Sequence, residues 1–498
     1  MLKIYTGNRL EKLLDLLDAN ICCSGTNPLI GSSICIQTPG MQRWIGLKLA
    51  EKTGISANLD FIFPGALMKR LAGVKAGERA LWPEKQELIW SVFSKLLNLP
   101  QEPIYDQINS YLEDDEGNIK AFRLAGRIAD TFDQYQIYRP EMILDWLSPS
   151  PKQTPKDDKD IWQLEMFRSL FANKRNCKTS VFHRFIKDAE KAKPENINQN
   201  SPLHIFGISV LPAFFIDMLK AASLHTDVYF YLLSPTRQYW GDSHTVRDIR
   251  RKEKRTGLTA QQMYIEEKHE LLDNLGVIGR DFFDHILGSD DSFITEEYYE
   301  DISADTMLNT VQAEILDLER VDSEPAYDNS IIINSCHNPL REMETLYDQL
   351  LDIFQSGKDL QPSDVLVMTP DIEKYSPYIK AVFDNPYDDR SAIPYSIADI
   401  SERQTNRPAG VFLELLSLLE GDFSLSDVFK VLSYDIVADN FDINITDLNT
   451  LSSVFENSGA FWGHDAEHLK SEGLEITDIF TWKKALRRIS LGLAEGST

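Results

Sequence analysis

The chain has 498 residues, 43% hydrophobic and 26% charged, and 51 Lys and Arg against 77 Asp and Glu leave a net charge of −26. That length calls for two to four domains, and no apolar run approaches the roughly 20 residues that cross a bilayer as a helix. Such acidity argues against a free-standing nucleic-acid-binding domain, whose affinity comes from neutralising phosphates. Any such contact needs a local positive lining or a more basic partner.

The opening "MLKIYTGNRLEKLLDLLDA" predicts a strand through Leu2 and Ile4, a polar turn at Gly7 and a helix with Leu10, Leu13, Leu14 and Leu17 on one face. Strand, glycine turn and helix N-terminus form the usual cradle for a nucleotide phosphate. A working P-loop, however, needs GxxxxGK[ST]. Here only Thr6-Gly7-Asn8-Arg9 joins strand to helix, and Lys12 lies inside the helical run. "SSICIQTPG" predicts a second strand, Ile34 to Ile36, ended by Pro39-Gly40, and "MQRWIGLKLAEKTG" a helix stopped by Gly54. From about 80 to 195 the pattern is helical, in "EKQELIWSVFSKLLNL" and "FRLAGRIADTFDQYQIY", with a solvated loop at 147–160. The glycines of "AGVKAGERA" (72–80) lack a following GK[ST].

Strands return in "LHIFGISVLP" and "DVYFYLLSP". The first ends Phe206-Gly207-Ile208-Ser209, with no acid to hold magnesium, so no ATP hydrolysis is predicted. An anion contact at the N-terminus of the 10–17 helix stays open. A basic stretch (247–257) and an acidic one (289–305) follow, then a second α/β pattern from "SIIINSCHNPLREMETLYDQLLDIF" through "DVLVMTP" to "IPYSI". The predicted layout is 1–75 with 200–325 as a discontinuous α/β domain and 76–199 as a helical insertion. A second α/β domain is predicted over 326–440, and a further helical region over 441–498, expected to be truncated. The five cysteines (Cys22, Cys23, Cys35, Cys177, Cys336) contain no CxxC pair, so neither a disulfide framework nor a cysteine zinc site is suggested. With no signal pattern at the N-terminus, they predict a cytoplasmic protein.

The segments "SSICIQTPGMQRWIGLKLAEKTGISANLDFIFPG", "IADTFDQYQIYRPEM", "HIFGISVLPAFF", "SPTRQYWGD", "LGVIGRDFFDHI", "CHNPLREMETLYDQLL" and "IEKYSPYIKAVF" occur in order. Through them the chain resembles the N-terminal part of the RecC family, the gamma chains of RecBCD enzymes (exodeoxyribonuclease V). The resemblance implies an α/β, inactive superfamily 1 helicase-like fold, with two parallel-sheet domains and a helical insertion. It further implies a non-catalytic subunit for double-strand break repair by homologous recombination, which channels single-stranded DNA and scans it for Chi. RecB-like and RecD-like subunits would complete a heterotrimer that acts on double-stranded DNA ends. Hydrolase and exonuclease chemistry, with ATP and Mg2+, would reside in those partners, and no cofactor is expected in this chain.

The resemblance also points to DNA-binding residues. Gln37, Asp130, Asp133, Gln134 and Arg139 match the family pattern, and Arg184 fits it. Pro39 and Arg43 stand where other members carry Thr and Gln, Arg43 being counted as a seventh DNA-binding residue, and Lys69 replaces an aromatic. These residue types suit base edges and phosphates, and Trp44, Tyr135 and Tyr138 could stack on bases. The competing reading of "DTFDQYQIYRPEM" is an amphipathic helix with Phe132 and Tyr135 inside and its acids in solvent. The cluster Arg247, Arg250, Arg251, Lys252, Lys254 and Arg255 is either a phosphate contact or a solvated helix with intrachain pairs. Two alternatives to DNA readout are a protein-interaction scaffold and a zinc peptidase-like site at His464-x-x-Glu467-His468, in which a helix would bring both imidazoles to one metal.

Overall fold

Six short parallel strands organise the first part of the chain in the order β3-β2-β4-β5-β1-β6. They are β1 (Leu2–Gly7), β2 (Ser32–Cys35), β3 (Leu59–Ile62), β4 (Leu203–Phe206), β5 (Val228–Leu233) and β6 (Ile294–Glu297). The computed structural model describes residues 1–23, 31–74, 80, 82–152, 161–171, 177–191, 202–287, 294–320, 327–356, 360–384, 392–398, 406–471 and 478–496. Most of 72–80, the end of the 147–160 loop and the start of the 289–305 stretch lie outside the described residues. The chain divides into two units, Met1–Ile332 and Ile333–Thr498.

In the first unit the period-two alternation of the strands sorts side chains onto two faces. Leu2, Ile4, Cys35, Ile205, Phe230 and Leu232 enter one core. Tyr5, Ile34, Ile36, Phe206 and Tyr231 enter the other. Helices α1 (Leu10–Cys23) and α2 (Pro39–Thr53) cover the second face through Leu13, Leu14, Leu17, Ile45 and Leu49. Helix α2 begins where Thr38 Oγ1 accepts the Met41 N–H, and ends at Gly54, whose φ of 82° suits glycine.

Between β3 and β4 the described residues contain helix but no strand. These helices are α3 (Pro64–Leu71), α4 (Lys85–Leu96), α5 (Asp106–Leu112), α6 (Ile119–Tyr138), α7 (Pro140–Trp146), α8 (Ile161–Leu170) and α9 (Lys178–Lys191). A separate core formed by α4 to α8, with Phe132, Trp146, Phe167 and Phe171, holds this layer together. After β4 come α10 (Ala213–Ser223), α11 (Val246–Thr256), α12 (Glu270–Leu275), α13 (Val277–Leu287) and α14 (Met307–Asp317). Helices α3, α9, α10 and α13 supply side chains to the core on the first face of the sheet.

Among its described residues the second unit contains helices and no strand. It contains α15 (Pro339–Gln355), α16 (Ile372–Phe383), α17 (Arg407–Glu420), α18 (Leu425–Leu432), α19 (Asp435–Asn440), α20 (Ile445–Asn457), α21 (Ala466–Ser471) and α22 (Trp482–Glu495). The second parallel sheet expected over 326–440 does not form among the described residues. Residues 331–335, 365–369 and 393–397 carry no strand ladder. Ile333, Leu366 and Met368 are 91%, 80% and 84% exposed. A strand is held by a neighbour, and here no ladder supplies one. Tyr347, Leu350, Phe383 and Ile393 form a small core between α15, α16 and the segment after them. No helix among the described residues is long and apolar enough to cross a membrane.

Candidate nucleic-acid interface

In open parallel sheets ligands bind beyond the carboxyl ends of the strands. At that edge the predicted cradle is closed by the chain itself. Beyond β6, the Tyr298 N–H donates to the Thr6 carbonyl at 2.7 Å. Asn8 Nδ2 then donates to the Glu300 carbonyl at 2.9 Å, and the Glu300 N–H donates back to Asn8 Oδ1 at 2.9 Å. The Glu300 carboxylate lies 3.2 Å from Lys12 Nζ and 3.6 Å from Arg9 Nε. A carboxylate therefore sits against the cations at the start of α1, where a helix favours an anion. Gly7 permits the approach, because a Cβ there would lie 2.5 Å from the Tyr298 carbonyl oxygen. Glu300 was hidden from sequence reasoning inside the 289–305 acidic stretch.

The seven predicted DNA-binding residues fall into two groups. Gln37 follows β2 at the sheet edge, where Ser209 Oγ, beyond β4, donates to its Oε1 at 3.4 Å. Arg43 is exposed on α2. No hydrogen bond or ion pair joins either of them to the helical layer among the described residues. Trp44 is half-buried with its ring 6.3 Å from Phe206, which makes it a packing residue rather than an open stacking platform.

In the helical layer, Asp130, Asp133 and Gln134 share one face of α6 by their i, i+3, i+4 spacing. Gln134 Nε2 donates to Asp130 Oδ2 at 3.3 Å. Asp130 forms an ion pair with Lys85 of α4, and Asp133 pairs with Lys178 of α9 at 2.6 Å. Arg139, exposed where α6 gives way to α7, stacks its guanidinium over Tyr135 at 5.2 Å. Tyr135 in turn donates to Gln163 Oε1 at 3.2 Å. Tyr138 stays 67% exposed, the one open aromatic of the three predicted stackers. Arg184 is exposed on α9 and, like Arg43, has no polar partner among the described residues.

Sequence reasoning missed Lys85, Lys178 and Gln136. The last is buried, and its Oε1 accepts the Lys178 N–H at 2.9 Å while its carbonyl accepts Thr179 Oγ1 at 2.7 Å. Gln136 thereby locks the end of α6 to the start of α9. The only sequence signal for it is a polar residue one turn beyond Phe132 on the apolar face.

The His464-x-x-Glu467-His468 spelling does not place its histidines on one helix. Helix α21 starts at Ala466, and His464 precedes it, next to Gly463 with φ of 77°. Asp465 Oδ1 caps the helix by accepting the Glu467 and His468 N–H groups at 3.1 and 3.2 Å. The Lys483 ammonium and these N–H donors hold the Asp465 carboxyl down to about 2. No group of three or more His, Cys, Asp or Glu among the described residues is placed to hold a metal.

An open, all-parallel α/β sheet with a helical layer inserted between two of its strands, and its phosphate cradle closed from within, defines the class of protein. The family model "RecC, N-terminal domain" matches residues 2–318, and "RecBCD enzyme subunit RecC fourth domain" matches 405–498. The chain belongs to the RecC family. It is 30% identical to the RecBCD enzyme subunit RecC of Escherichia coli (strain K12), over 99% of this chain and 48% of that protein. It is 29% identical to the subunit of Haemophilus influenzae, over 99% and 48%. Against that of Mycobacterium tuberculosis (strain CDC 1551 / Oshkosh) the identity is 25%, over 99% and 46%. The chain thus spans about half the length of the curated relatives it matches.

Proposed function

We propose that this chain serves a RecBCD-type complex as a cytoplasmic, non-catalytic DNA-binding subunit in double-strand break repair. In this reading it has a helicase-like fold that channels single-stranded DNA and scans it for a Chi-like signal. RecB-like and RecD-like partners carry out ATP- and Mg2+-dependent unwinding and nucleolysis. The observation that supports this best, beside family membership, is the Glu300 carboxylate held against Arg9 and Lys12. A motor fold whose phosphate position is filled by its own side chain is suited to holding nucleic acid rather than turning over nucleotide.

For DNA, Arg43 and Arg184 are open to phosphates, Arg139 with Tyr138 can grip a base by stacking and charge, and Gln37 and Gln134 can read a base edge. A second reading, a scaffold without readout, is favoured by one observation. The carboxylates of Asp130 and Asp133 are neutralised by Lys85 and Lys178, and would have to exchange these lysines for base amino groups.

The test is co-expression with RecB- and RecD-like partners. Duplex-end binding, ATP-dependent unwinding and a Chi response are expected. Arg139→Ala and Asp133→Asn should abolish the Chi response while unwinding persists. If both variants respond normally, Arg139 and Asp133 do not carry the readout; a chain that binds its partners but not DNA supports the scaffold reading.

A further inference from the structure

Helix α11 (Val246–Thr256) takes no part in the sites described above. At about 100° per residue, Arg250, Lys254, Arg247, Arg251 and Arg255 fall in a single arc of about 140°. All five are exposed, whereas Asp248, Ile249, Lys252 and Glu253 on the other side are half-buried. That inner side is fastened. Thr245 Oγ1 caps the helix by accepting the Asp248 N–H at 3.1 Å, and Glu253 Oε1 accepts the Ala260 N–H at 2.9 Å. Lys252 contacts His244, whose backbone N–H donates to the Glu266 carbonyl at 2.8 Å. Behind them Ser243 donates to the buried Asp273, and Arg280 Nη1 donates to the Ser243 carbonyl at 2.9 Å. The helix is therefore presented on a rigid polar base, with its cations outward.

None of the five outer side chains has an ion-pair or hydrogen-bond partner among the described residues. Folding does not call for this arrangement. Arg247/Arg251, Arg251/Arg255 and Arg250/Lys254 are like charges at i, i+4, which repel. The arc also has no apolar and no aromatic side chain. A protein partner would require a desolvated apolar centre, and a single strand would require aromatic platforms. Cations alone suit the backbone of a duplex. From Arg247 to Arg255 the helix rises about 12 Å, enough to follow successive phosphates of one strand.

We propose that the outer face of α11 binds the phosphate backbone of double-stranded DNA without reading its sequence. This rests on the DNA-binding reading above and gives it a duplex-contacting surface separate from the single-strand residues. The test compares the full chain with a variant carrying R247Q, R250Q, R251Q, K254Q and R255Q. The probe is a fluorescein-labelled duplex of about 30 base pairs, titrated between about 50 and 200 mM salt, beside a single strand of the same length. The variant should lose duplex affinity by at least about tenfold at the low-salt end, with a salt slope shallower by about 3. Its thermal unfolding and single-strand binding should match the parent.

Equal duplex affinity and slope in parent and variant overturn the role of α11 and leave the DNA-binding reading standing. A parent that binds single strands but not the duplex does the same. A parent that binds neither overturns both. Unchanged duplex binding with lost co-purification of a RecB- or RecD-like chain assigns the arc to a protein surface, and also overturns the proposal.

Discussion

Two cationic regions of the first unit meet opposite fates. At the start of α1, Arg9 and Lys12 are answered from within by Glu300. On α11, five cations face solvent with no polar partner among the described residues. The difference teaches that charge in this acidic chain is not spread evenly to keep it soluble. Where a phosphate site could have formed, the fold supplies its own anion, and where no sheet edge or glycine turn suggests a site, it leaves cations open. Buried His204 shows a third solution. Its ring is enclosed in the sheet, stacked on Tyr229 at 5.2 Å with Nδ1 3.1 Å from the Tyr231 hydroxyl, and burial pushes its pKa down to about 4. With no countercharge beside it among the described residues, it stays neutral above that pH.

Gly7 holds the approach of the Glu300 segment most directly. A Gly7→Val substitution drives a side chain into the Tyr298 carbonyl, and the segment carrying Glu300 must move. Urea unfolding is expected to show a loss of about 3 kcal/mol. A loss below about 0.5 kcal/mol would mean that the strap is not packed against the cradle.

His204 comes next. Its folded pKa lies below the unfolded value of 6.5, so the unfolded chain binds the extra proton between pH 6.5 and about 4. Stability from this group is complete above 6.5 and falls as the pH drops through that window, by on the order of 3 kcal/mol. His204→Phe should flatten that part of the profile, and an unchanged slope would move the proton uptake elsewhere.

Glu300→Gln sharpens the contrast itself. The pairs are half-exposed, so stability should change by less than about 1 kcal/mol. Arg9 and Lys12 should then take up an external anion. Sulfate at tens of millimolar is expected to raise the melting temperature of the variant more than that of the parent. Smallest of all is the effect on stability of neutralising α11. Removing its i, i+4 repulsions should leave the fold unchanged or more stable by a few tenths of a kcal/mol, seen as a melting temperature that does not fall. A drop of several degrees would show that the cations serve folding.

Much of the sheet is legible in the sequence. The strands at Leu2–Gly7, Leu203–Phe206 and Val228–Leu233 are rich in aliphatic and aromatic residues on both faces, Lys3, Thr6 and His204 excepted, the mark of a buried parallel strand. Helix α2 is bracketed by Thr38 and Gly54, caps that act locally. The edge strands are not legible. Strand β6 reads ITEE, because an edge facing solvent carries charge that blunts further pairing, and β3 is only four residues long and half-buried. The apolar segments at 331–335 and 365–369 show the opposite failure. Composition marks a strand, but only a ladder makes one, and Ile331 to Ile333 and Leu366 to Met368 stand exposed. Exchanging Leu366 and Met368 for Gln should therefore leave the urea midpoint nearly unchanged, a shift of less than about 0.5 kcal/mol.

The candidate site was partly readable, since Asp130, Asp133 and Gln134 do share a face. Their lysine partners come from α4 and α9, 45 residues away in the chain. No local pattern announces a pairing of that range.

The strap that carries Glu300 has a further consequence for any soluble anion. Because the carboxylate is tethered, it competes at an effective concentration set by the fold, at least in the millimolar range typical of linked sites. A free phosphate would have to displace a rival that never diffuses away from Arg9 and Lys12. Any soluble anion therefore meets Arg9 and Lys12 with its apparent affinity lowered by intramolecular competition, built into the edge of the sheet.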